Sequence, residues 1–142
     1  MSELSEDTIA ELLSAAAEVR ANAWAPYSGF KVGAAILDGA GRVHVGCNVE
    51  NASYGLSVCA ERHAIAAAVA AGGRDFKAVV VVTPTSPPAT PCGACRQVLA
   101  EFGDFSVILA NPQGERRVSS AVDLLPEAFT PEILGKNREP KS

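Results

Sequence analysis

The sequence has few basic residues, no long apolar stretch and no export signal. Its 142 residues include 12 Lys and Arg against 16 Asp and Glu, for a net charge of −4, so it lacks the basic surface that binds long nucleic acids. No stretch approaches the roughly 20 apolar residues that span a bilayer. Residues 1–7 are polar and acidic, unlike the basic and apolar start of a signal peptide. We therefore expect a cytoplasmic protein without nucleic-acid or membrane partners.

The composition is that of a globular protein. Hydrophobic residues make up 48% of the chain and charged residues 20%, which is enough apolar material for a core. The length predicts one domain over residues 1–142, with a polar tail at about 135–142. Four cysteines without an export signal indicate metal or redox chemistry rather than a disulfide framework.

Hydrophobic periodicity and turn residues predict alternating helices and strands. Helices are expected at 5–23, 57–71 and 91–102, and strands at 30–37, 42–49, 78–82, 105–110 and 117–120. Ser5 and Thr90 are the expected N-caps of the first and third helices, and Pro91 is expected at the first position of the third. The first two strands form a hairpin. This order predicts a three-layer α/β/α fold with a mixed sheet of about five strands.

Three of the cysteines form a candidate metal site. Cys92 and Cys95 lie three residues apart at a predicted helix start, on one helical face. Cys59 is expected in the first turn of another helix. Because helix N-termini favour anions, all three thiols should ionise readily, and thiolate is the form that binds zinc. Three such ligands on two helix ends suit one Zn²⁺ ion.

The fourth coordination position decides between a structural and a catalytic site. A structural zinc site has four protein ligands, whereas a catalytic one leaves a position for water. The other candidate ligands are Cys47, His44 and His63. His63 is the strongest of them because it lies one turn beyond Cys59, but that turn moves it away from the other sulfur atoms. We expect a packing role for His63 and a small buried side chain at Cys47.

Glu61 turns the candidate metal site into a candidate active site. Two residues after Cys59 in a first helical turn, its carboxylate would lie beside the metal without binding it. It could then carry protons for a water molecule activated by zinc. The alternative is a first-turn Glu that only stabilises the helix dipole.

These motifs resemble the signature of the zinc nucleoside deaminases, namely Cys59-Ala60-Glu61 followed by Pro91-Cys92-x-x-Cys95. Further segments resemble the small homotetrameric cytidine deaminases over about residues 8–130. They are Ser28-Gly29-Phe30-x-Val32-Gly33-Ala34-Ala35, Gly46-Cys47-Asn48-Val49-Glu50-Asn51, Tyr54-Gly55 and Leu124-Leu125-Pro126-x-x-Phe129.

The resemblance implies hydrolytic deamination of cytidine and deoxycytidine to uridine and deoxyuridine in pyrimidine salvage, with release of ammonia. Water activated by the zinc ion attacks C4 of the pyrimidine while Glu61 protonates N3 and then passes a proton to the leaving amino group. It also implies one Zn²⁺ per subunit and a homotetramer.

The same resemblance assigns the substrate contacts. Asn48 and Glu50 would hold the sugar 3′-OH, and Phe30 would pack on the pyrimidine ring. The backbone N–H of Ala60 would bind the pyrimidine O2, and the carbonyl of Thr90 would accept the leaving amine.

Other residues are implied around this site. Ala52 and Tyr54 would lie near the 5′-OH, and Phe129 would line the site, with neighbouring subunits completing each pocket. Arg62, assisted by Gln97, would hydrogen-bond the ligand sulfurs and offset their negative charge.

Three alternatives remain open from the sequence. One is a deaminase of modified nucleosides, of the blasticidin type, although Asn48, Glu50 and the segment 124–126 favour cytidine. Another is a nucleic-acid editor or binding module, which the net charge disfavours. The third is a structural zinc domain without catalysis, which requires a fourth protein ligand.

Overall fold

The computed structural model describes residues 4–135 as three α-helices and five β-strands. The helices are α1 (Glu6–Arg20), α2 (Ala60–Ala70) and α3 (Gly93–Ala100). The strands are β1 (Gly33–Leu37), β2 (Val43–Cys47), β3 (Ala78–Val82), β4 (Ser106–Ala110) and β5 (Arg116–Ser120). Short 3-10 turns cover Tyr54–Leu56 and Pro131–Leu134. From residue 136 onwards, the predicted polar tail lies outside the described residues.

The strands form one mixed sheet in the order β2-β1-β3-β4-β5. Only the pair β3 and β4 is parallel, because α3 connects them as a crossover, and the other neighbours are antiparallel. Within residues 4–135, no helix combines the length and hydropathy needed to span a membrane.

Two hydrophobic clusters on opposite faces of the sheet hold three layers together. Along β3, Val79 and Val81 pack in the cluster of α2 and α3, whereas Val80 and Val82 pack in the cluster of α1. This alternation follows from the two-residue period of a strand, and a central strand buried on both faces is apolar throughout. The predicted three-layer α/β/α class with a mixed five-stranded sheet is confirmed.

β1 and α2 each begin three residues later than the sequence predicts. β1 starts at Gly33 rather than at residue 30, because the Asn48 side chain accepts from Val32 N–H at 2.8 Å and donates to the Phe30 carbonyl at 2.7 Å. α2 starts at Ala60 rather than at residue 57, because Val58 exchanges two 3.0 Å backbone hydrogen bonds with Val49.

The cap of α3 is also displaced from its predicted position. Ser5 caps α1 as expected, accepting from Thr8 N–H at 3.1 Å. The prediction of Thr90 as cap and Pro91 as first helical residue is wrong, since Cys92 is the extended N-cap and the helix begins at Gly93. The Arg96 guanidinium donates a hydrogen bond to the Pro91 carbonyl at 2.8 Å, so this carbonyl is held by a side chain rather than by the helix.

Gly46 sets how closely α2 lies on the sheet. A Cβ atom at this position would come within 2.4 Å of the Ala64 nitrogen and 2.8 Å of the Ala60 carbonyl oxygen. Only a residue without a side chain therefore fits in β2 at this point.

Candidate metal centre and active site

Three cysteine sulfurs meet at the N-termini of α2 and α3. Cys59 is the N-cap of α2, Cys92 is the N-cap of α3, and Cys95 lies in the first turn of α3. All three sulfur atoms lie within 4.8 Å of one another, and those of Cys59 and Cys92 are 3.7 Å apart. The positive ends of two helix dipoles therefore face one cluster of thiols.

The donor set fits zinc. Tetrahedral coordination with Zn–S bonds of about 2.3 Å places ligand sulfurs roughly 3.8 Å apart, close to the separation of Cys59 and Cys92. Within residues 4–135, this trio is the only group of three or more Cys, His, Asp or Glu side chains arranged to hold a metal ion. The remaining residues of the sequence, 1–3 and 136–142, include neither Cys nor His. Thiolates are ligands that zinc prefers.

The surroundings of the cluster stabilise negative charge on the Cys59 sulfur. A hydrogen bond with Cys95, followed by contacts with Arg62 and Cys92, lowers the pKa of Cys59 to about 5. The hydrogen bond with Cys59 correspondingly raises the pKa of Cys95 above its ordinary value. Arg62 Nη2 lies 4.0 Å from the Cys59 sulfur, and that contact raises the pKa of the guanidinium. The Arg62 Nε atom is buried without a hydrogen-bond partner among the described residues.

Glu61 is buried beside these sulfurs, with 5% of its surface exposed. Burial is the main cause that raises the pKa of its carboxyl group, and the negative charge of Cys59 acts in the same direction. A carboxyl group with a raised pKa exchanges its proton closer to neutral pH, which suits it to act as acid and base in turn.

Cys59, Cys92 and Glu61 line a cleft of about 230 Å³. The other residues that line it are Phe30, Val32, Asn48, Ala60, Thr83, Ala89 and Thr90. The sequence prediction included most of these residues but missed Val32, Thr83 and Ala89. Thr83 had a detectable signal, because it is a polar residue directly after the buried strand β3, and ligands bind beyond the carboxyl ends of such strands.

The side chains of Asn48 and Glu50 both form hydrogen bonds with the segment that precedes β1. Asn48 lines the cleft and holds the backbone of Phe30 and Val32, as described above. The Glu50 carboxylate accepts from the backbone N–H groups of Tyr27 and Ser28 at 3.0 and 3.1 Å and from the Ser28 hydroxyl. The Ser28 hydroxyl is the main cause that lowers the pKa of Glu50.

Ala52, Tyr54 and Phe129 lie outside this cleft. Ala52 is on an exposed loop. Tyr54 packs edge-on against Tyr27, with ring centroids 5.8 Å apart, beside a second hollow that Glu50 also lines. Phe129 is 56% exposed. Within one copy of the chain, these predicted substrate contacts are therefore not brought to the sulfurs.

Two further side chains bind backbone rather than the metal cluster. The Gln97 amide donates to the Phe129 carbonyl at 2.7 Å, which differs from the prediction that it assists Arg62 at the sulfurs. Its position on α3 places it opposite the segment that follows β5. His63 Nδ1 lies 2.9 Å from the Cys47 carbonyl oxygen, and His63 is not part of the cysteine cluster.

The combination of fold and site defines a class of protein. Three thiols at two helix N-termini beside a buried carboxyl group match the ligand set and the acid/base of the zinc-dependent deaminases. In this class the carboxyl group is not a metal ligand.

Comparisons with known proteins identify the family within this class. A family model described as "Cytidine and deoxycytidylate deaminase zinc-binding region" matches residues 6–111. A cytidine deaminase of Halalkalibacterium halodurans is 50% identical over 125 residues, which cover 87% of this chain and 95% of that protein. A crystal structure of cytidine deaminase from Burkholderia pseudomallei is 53% identical, with a TM-score of 0.83, and the match covers 89% of this chain and 100% of that one.

A second crystal structure agrees with these three matches. A crystal structure of cytidine deaminase from Mycobacterium tuberculosis is 44% identical, with a TM-score of 0.72, over 85% of this chain and 96% of that one. The chain belongs to the cytidine and deoxycytidylate deaminase family. The resemblance predicted from the sequence and the enzyme class, a hydrolase of the cytidine deaminase type, are confirmed.

Proposed function

We propose that this protein catalyses the zinc-dependent hydrolytic deamination of cytidine and deoxycytidine to uridine and deoxyuridine, with release of ammonia, in cytoplasmic pyrimidine salvage. The observation that supports this most directly is the presence of Cys59, Cys92 and the buried Glu61 along one cleft. A cluster of three thiols leaves one position of a tetrahedral zinc ion for water.

Cys59, Cys92 and Cys95 would hold one zinc ion per subunit, and Arg62 would offset part of their negative charge. When bound, zinc lowers the pKa of a coordinated water molecule to about 7 and so supplies a nucleophile at neutral pH. Glu61 would accept one proton of that water and donate it to N3 of the pyrimidine. It would then accept the proton of the hydroxyl group added at C4 and donate it to the amino group, which leaves as ammonia while the C4 carbonyl forms. Its burial supports this role, because burial raises the pKa of its carboxyl group and so allows it to hold and release a proton closer to neutral pH.

The walls of the cleft would orient the base. Phe30 is 38% exposed and offers a ring on which a pyrimidine can pack. The N–H of Ala60, at the first position of α2, has no partner within the helix and could bind the pyrimidine O2. The Thr90 carbonyl would accept the N–H of the leaving amine. Asn48 and Glu50 would contact the 3′-OH with the acceptor capacity that their backbone contacts leave free.

We further propose that the enzyme is a homotetramer. Its surface exposes a group of large side chains near the Glu50 hollow: Tyr54 is 74% exposed, Leu56 66%, Trp24 60% and Tyr27 52%. An apolar surface of this kind marks an interface. In such an assembly, Ala52, Tyr54 and Phe129 of one subunit would reach the cleft of a neighbouring subunit. They do not reach the cleft of their own chain.

The direct test measures the ultraviolet absorbance of cytidine during incubation with the purified protein of known mass in solution. We expect loss of cytidine absorbance, inhibition by a chelator and recovery when zinc is added. Deoxycytidine is tested in parallel. A protein that contains one zinc ion per chain but leaves both nucleosides unchanged would refute the proposal, and a metal with four protein ligands would favour a structural zinc domain instead.

A further inference from the structure

The loop between β3 and α3 forms one wall of the cleft. Thr83 begins this loop, Ala89 and Thr90 lie near its end, and all three line the cleft together with the ligand Cys92. Four of the residues between Thr83 and Cys92 are prolines, which have no N–H to donate. Side chains must therefore supply much of the hydrogen bonding that fixes the shape of this wall.

The buried side chain of Thr83 joins the two ends of the loop by a hydrogen bond. It is 5% exposed, and its hydroxyl oxygen accepts the N–H of Ala89 at 3.0 Å. Its own N–H donates to the Ala110 carbonyl at 3.0 Å, which attaches it to the end of β4. The Ala89–Thr90 backbone is thus tied to the sheet through one buried hydroxyl group.

The turn between β4 and β5 braces the same loop from outside. Asn111 is 5% exposed, and its amide nitrogen donates to the Thr85 carbonyl at 2.9 Å and to Glu115 Oε1 at 2.7 Å. Its amide oxygen accepts from the backbone N–H groups of Gln113 and Glu115 at 3.1 and 3.0 Å. The Glu115 carboxylate also accepts from the Ser86 hydroxyl.

We propose that Thr83 is a positioning residue for deamination, braced by Asn111: its hydroxyl fixes the Ala89–Thr90 backbone so that the Thr90 carbonyl stays aligned with the departing amino group. The inference rests on the proposed function. The amino group gains a proton as its bond to C4 breaks, so its hydrogen bond to a carbonyl strengthens in the transition state. Misalignment should consequently affect kcat more than KM.

The first test compares Thr83→Val with Thr83→Ser in the zinc-loaded enzyme. Valine has nearly the same shape as threonine but cannot accept the Ala89 N–H, whereas serine keeps the hydroxyl group. We expect Thr83→Val to lower kcat on cytidine roughly tenfold, with KM within about twofold of the parent. Thr83→Ser should restore most of kcat. Equal losses in both variants, or a lower zinc content in Thr83→Val, would overturn the proposal.

The inhibition constant of uridine distinguishes a positioning role from a general change in the shape of the cleft, because only a general change would alter it. Uridine carries an oxygen at C4 and has no amino hydrogen there to donate to Thr90. We expect its inhibition constant against cytidine to be the same for the parent and Thr83→Val. An inhibition constant that rises in step with the loss of kcat would mean that the hydroxyl group supports the whole cleft, and would refute the proposal.

A second variant tests the brace without entering the cleft. Asn111→Asp keeps an acceptor for the turn but loses the donor to Thr85 and places a negative charge beside Glu115. We expect the same pattern as for Thr83→Val, with lower kcat and unchanged uridine inhibition. Gln113→Ala is the matched control, since it lies in the same turn and its side chain makes no described hydrogen bond to the loop. A loss equal to that of Asn111→Asp in the control would contradict the inference.

The two hypotheses fail in different ways. A parent enzyme that does not deaminate cytidine would refute the proposed function. An active parent whose kcat is unaffected by Thr83→Val and Asn111→Asp would refute only the positioning role.

Discussion

Replacement of Glu61 by Gln would remove the proton carrier while it preserves the shape of the side chain. Glu61 is almost fully buried next to the cysteine cluster, so an amide of equal size should occupy the same space. The pKa of the carboxyl group is raised mainly by burial, which means that its charged form is unfavourable there. The neutral amide should therefore leave the thermal stability unchanged or increase it.

The expected loss of activity follows from the composition of the cleft. Among the described residues that line it, the only titratable groups besides Glu61 are the proposed ligands Cys59 and Cys92, so no other side chain can take over its proton transfers. General acid–base catalysis contributes about 10²- to 10⁴-fold. Because one group would act as both base and acid, we expect a decrease of kcat near 10⁴-fold, or about 5.4 kcal/mol at 1.36 kcal/mol per decade.

The assay follows cytidine absorbance for the parent, Glu61→Gln and the exposed control Glu18→Gln, alongside zinc analysis and thermal unfolding. We expect full zinc content in all three proteins and normal turnover in the control. A Glu61→Gln protein with full zinc content and kcat within tenfold of the parent would show that Glu61 does not carry the protons.

Three other predictions concern the metal centre and the β1–β2 hairpin. Cys59→Ala should lose both zinc and activity, measured by metal analysis and turnover, and zinc retention would remove this residue from the ligand set. Arg62→Gln should keep zinc but lower kcat about tenfold, because one charge-assisted contact to sulfur is lost, and unchanged kinetics would exclude that role. The buried carboxylate of Asp38 accepts a 2.8 Å hydrogen bond from His44, the main cause that lowers its pKa from 3.8 to about 2. Its contribution to stability is therefore present above pH 3.8 and is lost as the pH falls through about 2, so the difference in melting temperature between the parent and Asp38→Asn should shrink over that range.

The elements that could be predicted from the sequence are those whose signals are local. Ser5 is followed by an amphipathic pattern, and β3 is a continuous run of Ala and Val, so helix α1 and the central strand follow from propensity and periodicity. The spacing of Cys92 and Cys95 is also a local signal, because residues three positions apart at the start of a helix lie on the same face. These features led directly to the three-layer fold and to the cysteine cluster.

The features that could not be predicted depend on individual side-chain contacts, most of which join distant parts of the chain. The sequence around Pro91 does not indicate that the Arg96 guanidinium will donate a hydrogen bond to the Pro91 carbonyl, or that α3 will start two residues later than predicted. Likewise, the amide of Gln97 finds the Phe129 carbonyl 32 residues away. Thr83 and Asn111 lie 28 positions apart and meet the same loop only because β3 and β4 are neighbours in the sheet.

The absence of a side chain at position 46 has a consequence for the chemistry. Because α2 rests directly on the β2 backbone there, the height of that helix above the sheet is fixed by atomic contact rather than by adjustable packing. Even a methyl group would lift the helix end that carries one sulfur and the proton carrier, while the two sulfurs on the other helix stayed in place. The hydrogen atom in place of a side chain at Gly46 therefore preserves the relative position of Cys59 and Glu61 on α2 and the two cysteines on α3.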